Sequence, residues 1–153
     1  MLFSRKPNIE KLKATNNVLG LIKALRHKDP QVGKDAVLAL GQIGEPAKDA
    51  VPALIEALSD ENMSVSTKAA DALGEIGEPA VLALIKALGD ENWKVRASAA
   101  DALGRIGEPA KDAVPALIEA LSDENLRLYA VRALGQIGTP EAQKAVKEYK
   151  QQN

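Results

Sequence analysis

Ala39-Leu40-Gly41-Gln42-Ile43-Gly44 is the first of four copies of the pattern Ala-Leu-Gly-x-Ile-Gly. The other copies lie at residues 72–77, 102–107 and 133–138, and the central glycines of successive copies are 33, 30 and 31 residues apart. Periods in this range are typical of proteins built from stacked repeats, in which each unit buries its apolar side against its neighbours. The spacing therefore predicts four units, at approximately residues 17–44, 45–77, 78–107 and 108–138.

The composition favours helices as the content of each unit. Apolar residues make up 46% of the 153 residues, but aromatic residues only 3%. Ala, Leu, Ile and Val must then form the core, and small and γ-branched side chains of this kind favour closely packed helices over a sheet. Each unit is predicted to hold two helices, and the second helix contains the repeated pattern and ends at its last glycine.

Both ends of the array are predicted to carry one additional helix. Asn8 is expected to cap a short helix within residues 8–15. Thr139-Pro140 is expected to open a terminal helix within residues 139–150, because a threonine cap followed by proline suits a first helical turn. The apolar side of this last helix is thin, as expected for the end of a repeat array.

Turn residues separate the predicted helices inside the array. Gly44 stands where a left-handed C-cap is expected, and Asp29 precedes Pro30 as a good cap before a first helical turn. Glu45-Pro46 opens the turn into the second unit. Asp49 is predicted to cap the first helix of that unit.

The four units are not equal copies. Residues 45–62 recur identically at residues 108–125, whereas the third unit lacks three residues in the corresponding stretch. In the fourth unit Leu126 stands where the third unit has Val95, nine residues before the central glycine. Such identity indicates either recent internal duplication or a consensus-designed array.

The second helix of the third unit carries the most specific motif, Asp90-Glu-Asn-Trp-Lys-Val-Arg-Ala-Ser-Ala-Ala-Asp-Ala-Leu-Gly104. With the Gly-Glu-Pro punctuation, this motif resembles the HEAT-like repeats named after phycobilisome (phycocyanin) lyases. The resemblance covers residues 17–150 and is specific for fold, not for function. It implies an all-α, right-handed α-solenoid of four HEAT-like helix pairs with an additional helix at each end, in a single domain over residues 1–153.

The resemblance also implies where the helices lie and how the units are joined. In this family the first helix of each pair lines the convex side and the second helix lines the concave side. An arginine after the motif valine helps to join neighbouring units through a loop aspartate. Only Arg96 and Arg127 keep that arginine, while Gly33 and Ser66 stand at the matching places. Joining of the units is therefore expected to be weaker in the N-terminal half.

Candidate binding residues occupy the second-helix positions that differ most between otherwise similar units. The apolar stripe of each second helix is expected to face the hydrophobic core. The other positions, Ala97 among them, are then expected to face outward on the concave surface of the solenoid. The candidates for partner binding on this concave face are Leu38, Met63, Lys68, Asp71, Glu75, Trp93, Lys94, Asp101, Arg105, Tyr129, Arg132 and Gln136.

Two of these positions carry more than one interpretation. Trp93 is the only tryptophan, and with Tyr129 and Met63 it is either an apolar anchor for a partner or a plug over the end of the preceding helix. Asp71 and Asp101 repeat one unit apart, which permits a metal or acid–base role, but solvated acids on a helix are far commoner.

Catalytic and metal-binding chemistry has few residues to draw on. The chain has no cysteine and one histidine, so no nucleophilic triad and no zinc site is expected, and no cofactor is expected. The glycines end helices, whereas phosphate-binding loops open them. No apolar run is long enough to span a membrane, so a cytoplasmic protein is expected.

The charge is unevenly distributed along the chain. The total is −1, but residues 1–28 carry +6 and residues 45–125 carry −9. With few aromatic residues among the basic ones, nucleic-acid binding is not expected. Solvated helix faces are the simpler explanation of this asymmetry.

Three functions agree with these observations. The first is a non-catalytic scaffold or adaptor that binds a protein partner on the concave face, as a monomer or with weak self-association. The second, which the resemblance implies, is an accessory subunit of a bilin lyase or a related maturation system. The third is a consensus-like or designed repeat scaffold with no native ligand.

Overall fold

The computed structural model describes residues 5–153, and the first four residues of the predicted domain lie outside this range. Over the described residues the chain forms α-helices and short 3-10 segments and no strand. The helices are α1 (Ile9–Ala14), α2 (Val18–Ala24), α3 (Pro30–Ile43), α4 (Val51–Ala57), α5 (Met63–Ile76), α6 (Val81–Ala87), α7 (Trp93–Ile106), α8 (Val114–Ala120), α9 (Arg127–Ile137) and α10 (Pro140–Gln152).

The helices stack as pairs. α2 packs on α3, α4 on α5, α6 on α7 and α8 on α9, so each predicted unit holds a first and a second helix. The second helices α3, α5, α7 and α9 also pack side by side in chain order, more extensively than the first helices do. α1 packs on α2 and α3 at one end, and α10 packs on α8 and α9 at the other. This arrangement confirms the predicted all-α solenoid of four helix pairs with an additional helix at each end.

The repeated pattern supplies the core of the solenoid. Its leucines Leu40, Leu73, Leu103 and Leu134 are all fully buried, and each first helix contributes a fully buried leucine as well. Burial of one leucine side chain stabilises a fold by about 1.5–3 kcal/mol, so these eight residues supply much of the hydrophobic free energy. No buried polar residue occurs in the described part of the chain.

Close approach of the second helices depends on small residues in the pattern. A methyl group added to Gly41 would lie 3.1 Å from the Cα atom of Ala72 on α5. The glycine therefore allows the backbones of α3 and α5 to approach more closely than a larger residue would permit. The alanine that precedes each pattern leucine is likewise almost fully buried.

Most predicted helix ends are confirmed. The side chain of Asn8 accepts a hydrogen bond from the backbone N–H of Lys11 at 2.9 Å, and that of Thr139 accepts one from Ala142 at 3.3 Å. Asp29 caps α3 in the predicted way, with Pro30 as the first helical residue. These side chains satisfy N–H groups that have no partner inside their own helix.

The predicted cap at Asp49 is wrong. The residues before α4 form a 3-10 segment, Glu45–Ala50, and α4 begins after Ala50 without a capping side chain. Asp49 lies inside the 3-10 segment, and Ala50, not Asp49, occupies the N-cap position of α4. The corresponding segments before α6 and α8 are Glu78–Ala80 and Glu108–Ala113.

The predicted left-handed cap at Gly44 is only partly right. Gly44 has the expected positive φ of 72°, but its ψ of −140° lies far from the left-handed helical region. Gly138, which ends α9, does adopt that region with φ 68° and ψ 12°. The difference arises because Gly44 leads directly into a 3-10 segment, whereas Gly138 leads into the extended Thr139.

Within the described part of the chain, no helix combines the length and apolarity needed to cross a bilayer.

Candidate functional site

The layer of second helices exposes most of the large apolar side chains at the surface. Seven such side chains are exposed among the described residues, and two of them, Leu19 and Leu82, belong to first helices. The five on second helices are Leu38, Met63, Trp93, Leu128 and Tyr129. Exposed apolar groups concentrated on one layer are candidates for contact with a partner.

Three of these side chains line one groove, which we call the central groove. It runs across α5, α7 and α9 and has a volume of about 440 Å³. Met63 is 74% exposed at its edge and Trp93 is 45% exposed, while Tyr129 reaches it from α9. Because nearly half of Trp93 remains accessible, its ring is available to a partner as well as to the helix beneath it.

Charged residues of the predicted set share the central groove with these apolar groups. Lys94 and Asp101 on α7 and Arg132 on α9 all line it. Six of the twelve predicted residues are thus brought together around one groove.

A second groove, the N-terminal groove, collects another four. It lies between α3 and α5, has a volume of about 370 Å³, and is lined by Leu38, Lys68, Asp71 and Glu75. Leu38 is its exposed apolar group. The two grooves lie on either side of α5.

Ion pairs cross the second-helix layer between the grooves. Arg105 Nη1 lies 2.8 Å from Asp71 Oδ1, and Arg105 Nε donates a hydrogen bond to Asp101 Oδ2 at 3.1 Å. Arg132 Nη1 lies 3.7 Å from Asp101 Oδ1. We call Asp71, Arg105, Asp101 and Arg132 the ionic ladder. The contact with Asp71 is an ion pair by distance but lacks hydrogen-bond alignment.

The ionic ladder supplies an arginine partner for both repeated carboxylates. Asp71 and Asp101 do not face each other as a free pair, because Arg105 lies between them and contacts both. Exposed ion pairs contribute only about 0–1 kcal/mol each, so the ladder orders the surface more than it stabilises the fold. The described residues contain no group of three or more metal-ligating side chains.

One candidate residue lies outside the grooves, and one sequence prediction differs from the structure in this region. Gln136 lies outside both grooves, beside Gly104 of α7. Ala97, predicted to face outward, is only 5% exposed and forms part of the floor of the central groove. The reason is that α9 packs closely along α7, so a small side chain at this position is enclosed.

Sequence reasoning also missed part of the rim of the central groove. Asp60 and Glu61, in the loop before α5, and Asn92, in the loop before α7, line it. The signal was present, because these loops lead directly into second helices. The loop around Asp60 recurs identically in the fourth unit, and a sequence shared by two units indicates a structural role more readily than a binding role.

Comparison with known proteins supports the architecture. The model of HEAT repeats matches residues 18–88 and again residues 81–152. No curated protein matches this chain.

Several solved structures share the fold. A chain of the complex of CpcE and CpcF of phycocyanin lyase from Nostoc sp. PCC7120 is similar at 24% identity and a TM-score of 0.65, over 90% of this chain and 88% of that one. An engineered protein is similar at 27% identity and a TM-score of 0.50, over 94% of this chain and 72% of that one. A designed armadillo repeat protein in complex with the peptide (KR)4 is similar at 22% identity and a TM-score of 0.53, over 93% and 74%.

The two family matches together cover nearly the whole chain, and the stacked helix pairs agree with them. The chain belongs to the HEAT-repeat family.

Proposed function

We propose that this chain is a non-catalytic scaffold that binds a protein partner across its second-helix layer, with the central groove as the main contact. The observation that carries this proposal is the groove itself, where Met63, Trp93 and Tyr129 remain accessible around about 440 Å³ of open volume. Trp and Tyr are common anchors of protein interfaces, because they bury a large area at a low cost in conformational entropy, and methionine adapts its flexible side chain to a partner's surface.

The curvature expected of the array also favours this layer. The second helices pack more extensively on one another than the first helices do, and Gly41 allows close backbone approach. A stack whose layers differ in this way is expected to curve toward the tighter layer. The second helices would then form the concave side, which repeat proteins commonly use for extended binding surfaces.

The ionic ladder suits recognition better than catalysis. Asp71 and Asp101 already have Arg105 as a partner, so neither is poised as a free acid or base. A partner that covers the ladder would meet charges that are mutually compensated, which lowers the desolvation cost of burying them. Apolar anchors would then supply most of the affinity, and the ladder would supply specificity.

The experiment is affinity purification with crosslinking from the source cells, followed by a binding assay with the purified partner. Trp93→Ser combined with Tyr129→Ser should weaken binding by about 30- to 900-fold, since loss of two anchors costs about 2–4 kcal/mol. Circular dichroism should show unchanged helicity, because neither side chain belongs to the buried core.

Leu82→Ser provides the control, because Leu82 is an exposed large apolar side chain on the first-helix layer. Binding should be unchanged in this variant. If the Trp93/Tyr129 variant binds normally while Leu82→Ser does not, the partner uses the other layer and the proposal fails.

The two alternatives from the sequence predict different outcomes. An accessory subunit of a bilin lyase should change the absorbance of an added bilin or pair with a second repeat chain. A designed scaffold without a native ligand should yield no specific partner. The likeness to phycocyanin lyase chains stands at 24% identity and concerns the fold, so it does not by itself favour the first alternative.

A further inference from the structure

The C-terminal end of the array retains a packing site that no described helix fills. A methyl group on Gly41 would lie 3.1 Å from Ala72 Cα of α5, and one on Gly74 would lie 3.2 Å from Arg105 Cβ of α7. One on Gly104 would lie 3.0 Å from Ala133 Cα of α9, but one on Gly135 would meet nothing within 4 Å. Glycine destabilises a helix interior relative to alanine, and close packing inside the described chain does not offset that cost at Gly135.

The same face of α9 carries apolar side chains that are more accessible than their counterparts. Leu128 is 74% exposed, whereas Ala97, at the same position of the preceding unit, is 5% exposed. Val131 is half-buried, whereas Ala100, its counterpart on α7, is fully buried. Leu128, Val131 and Gly135 are spaced so that they share one face of the helix.

The terminal helix α10 covers only part of this end. It packs on α8 and α9, and lies beside α8 much as α6 lies beside α4. It therefore stands where a further first helix would stand, and no second helix follows it in the described residues. A groove of about 380 Å³ remains between α9 and α10, lined by Gly135 and Val146 with Lys147 and Lys150 at its edge.

Within the described residues, an arginine at this end lacks the partner that its counterpart has. Arg96 donates a hydrogen bond to Asp123 Oδ2 at 3.1 Å, and Asp123 comes from the loop of the next unit. Arg127 stands at the same position one unit later, and its buried Nε atom has no hydrogen-bond partner among residues 5–153. Such an atom is costly to leave unpaired, so a carboxylate placed there would be stabilising. Residues 126–153 carry a net charge of +3.

We propose that this C-terminal end face, formed by Arg127, Leu128, Val131, Gly135 and Val146, docks an acidic helix of another protein. The helix stacks on α9 as α9 stacks on α7, a residue of its apolar side meets Gly135, and a carboxylate in the loop before it pairs with Arg127. This face is separate from the central groove, so the proposal does not depend on the function proposed above.

Charge selects the occupant. A second copy stacked end to end would bring its own N-terminal segment, where residues 1–28 carry +6, against the +3 of this end. Two C-terminal ends placed together would oppose Lys147 and Lys150 with their own copies. Both arrangements bring like charges together, whereas an acidic helix from another protein compensates them.

The probe is a synthetic peptide with the sequence of residues 59–77, held helical by a hydrocarbon staple on its outward side. This segment contains α5, which covers the equivalent Gly41 within the chain, and its Asp60 corresponds to Asp123. Its side chains carry a net charge of −3. Binding to the full chain is measured by fluorescence anisotropy, and the contact is mapped by amide chemical shifts of the chain.

We expect saturable binding that weakens with added salt and shifts the amides of Leu128, Val131 and Gly135. The variant Gly135→Leu should abolish binding while leaving the melting temperature intact or higher, because the site is open in the free chain. A peptide with Asp60→Asn and a chain with Arg127→Met should each weaken binding by about tenfold, and the two changes together should add little.

The control variant is Leu82→Glu, on the first-helix layer, which should bind the peptide normally. Absence of binding at millimolar peptide, or binding that Gly135→Leu leaves unchanged, would overturn the proposal. Sedimentation of the chain alone supplies another test: a dimer that Gly135→Leu dissociates would show that a second copy occupies the face, and would also overturn it.

Discussion

Each half of the array contains an ion pair between neighbouring units, and the two pairs differ in how exposed they are. Between the third and fourth units, Arg96 and Asp123 pair with side chains that are 19% and 32% exposed, and Arg96 Nη1 also donates to the carbonyl oxygens of Asp90 and Glu91. Between the first and second units, Arg26 and Glu56 pair at 2.9 Å, but they are 76% and 67% exposed. Water and salt screen the exposed pair, so only the half-buried contact is expected to hold its units together.

The difference teaches that the burial of an ion pair, more than its presence, indicates how firmly it joins two units. Arg96 is held by three acceptors around a partly enclosed site, and each hydrogen bond fixes the orientation of its guanidinium group. Gly33 and Ser66 occupy the same position in the first two units and supply no such group.

The largest expected effect comes from breaking the stronger contact. Arg96→Ala should lower the free energy of unfolding by about 2 kcal/mol, because charge-assisted hydrogen bonds to a partly buried group are lost. Urea denaturation measures this value. The control Arg26→Ala should change it by less than about 0.5 kcal/mol, as expected of an exposed pair. Equal effects of the two substitutions would show that burial does not separate these contacts.

The comparison can be measured without any substitution. Amide hydrogen exchange should be faster by about tenfold in α1 to α4 than in α7 to α9, which corresponds to about 1.4 kcal/mol of opening free energy. Repeat arrays open from their less firmly joined units, because each unit is supported only by its neighbours. Equal or greater protection of residues 9–60 would contradict the comparison.

Glycine substitutions extend the comparison to the open end. Gly135→Ala should stabilise the chain by about 0.5–1 kcal/mol, because alanine favours the helix and the added methyl group meets nothing. Gly41→Ala should give no gain and a loss of up to about 1 kcal/mol, because its methyl group meets the backbone of Ala72. Thermal unfolding of both variants tests the difference. A gain at Gly41 as large as at Gly135 would show that α5 can move away freely.

The missing contact can also be added. Ser66→Arg places an arginine where Arg96 stands in the next unit, within reach of the loop residue Asp90. Asp90 accepts from the N–H of Asn92, as Asp123 does from that of Asn125. We expect a gain of about 0.5 kcal/mol, in the range of partly exposed pairs, measured by chemical denaturation. Combining Ser66→Arg with Asp90→Asn should remove the gain if the pair forms as intended.

Gly33 is a poorer place for the same change. A methyl group at this position would lie 3.2 Å from the carbonyl oxygen of Leu25. The first unit therefore cannot take the arginine without a shift of its backbone.

The smallest effect concerns the N-terminal segment. A hydrogen bond from Lys6 lowers the pKa of Asp29 below its usual range, with help from the backbone N–H of Gln31, and the same contact with Asp29 raises the pKa of Lys6. A depressed carboxyl pKa stabilises the fold above its unfolded value of about 3.9, and this contribution is lost as the pH falls through the folded pKa. Amide exchange at pH 3 should show α1 and the start of α3 opening first. Asp29→Asn should reduce that pH dependence.

Most of the fold could be predicted because its signals are local. The repeated pattern places the buried leucines, and Asn8, Asp29 and Thr139 start helices through contacts within three residues. Asp49 failed as a predicted cap because proline-containing segments can form a 3-10 turn as readily as a helix start, and the sequence signals of the two overlap.

The site was harder to predict because it depends on how far each unit is displaced from the next. The sequence places Asp71 and Asp101 on matching positions, but it does not reveal that Arg105 spans both. It likewise places Ala97 outside, because the closeness of α9 to α7 is not a property of either helix alone. Arg127 stands at the arginine position of the family motif but forms no ion pair with the described residues. By analogy with Arg96 and Asp123, its partner would come from a loop after α10.

The 3-10 segments have a consequence for how such an array changes over time. The third unit has a segment of three residues, Glu78–Ala80, where its neighbours have six, and yet Ala80, Ala50 and Ala113 are equally buried at the entrance to their first helices. This three-residue difference is absorbed before the first helix, because α5 and α7, the second helices of the second and third units, both have 14 residues. Residues can therefore be gained or lost in these 3-10 segments over evolution without a change in the length of the second helices that follow.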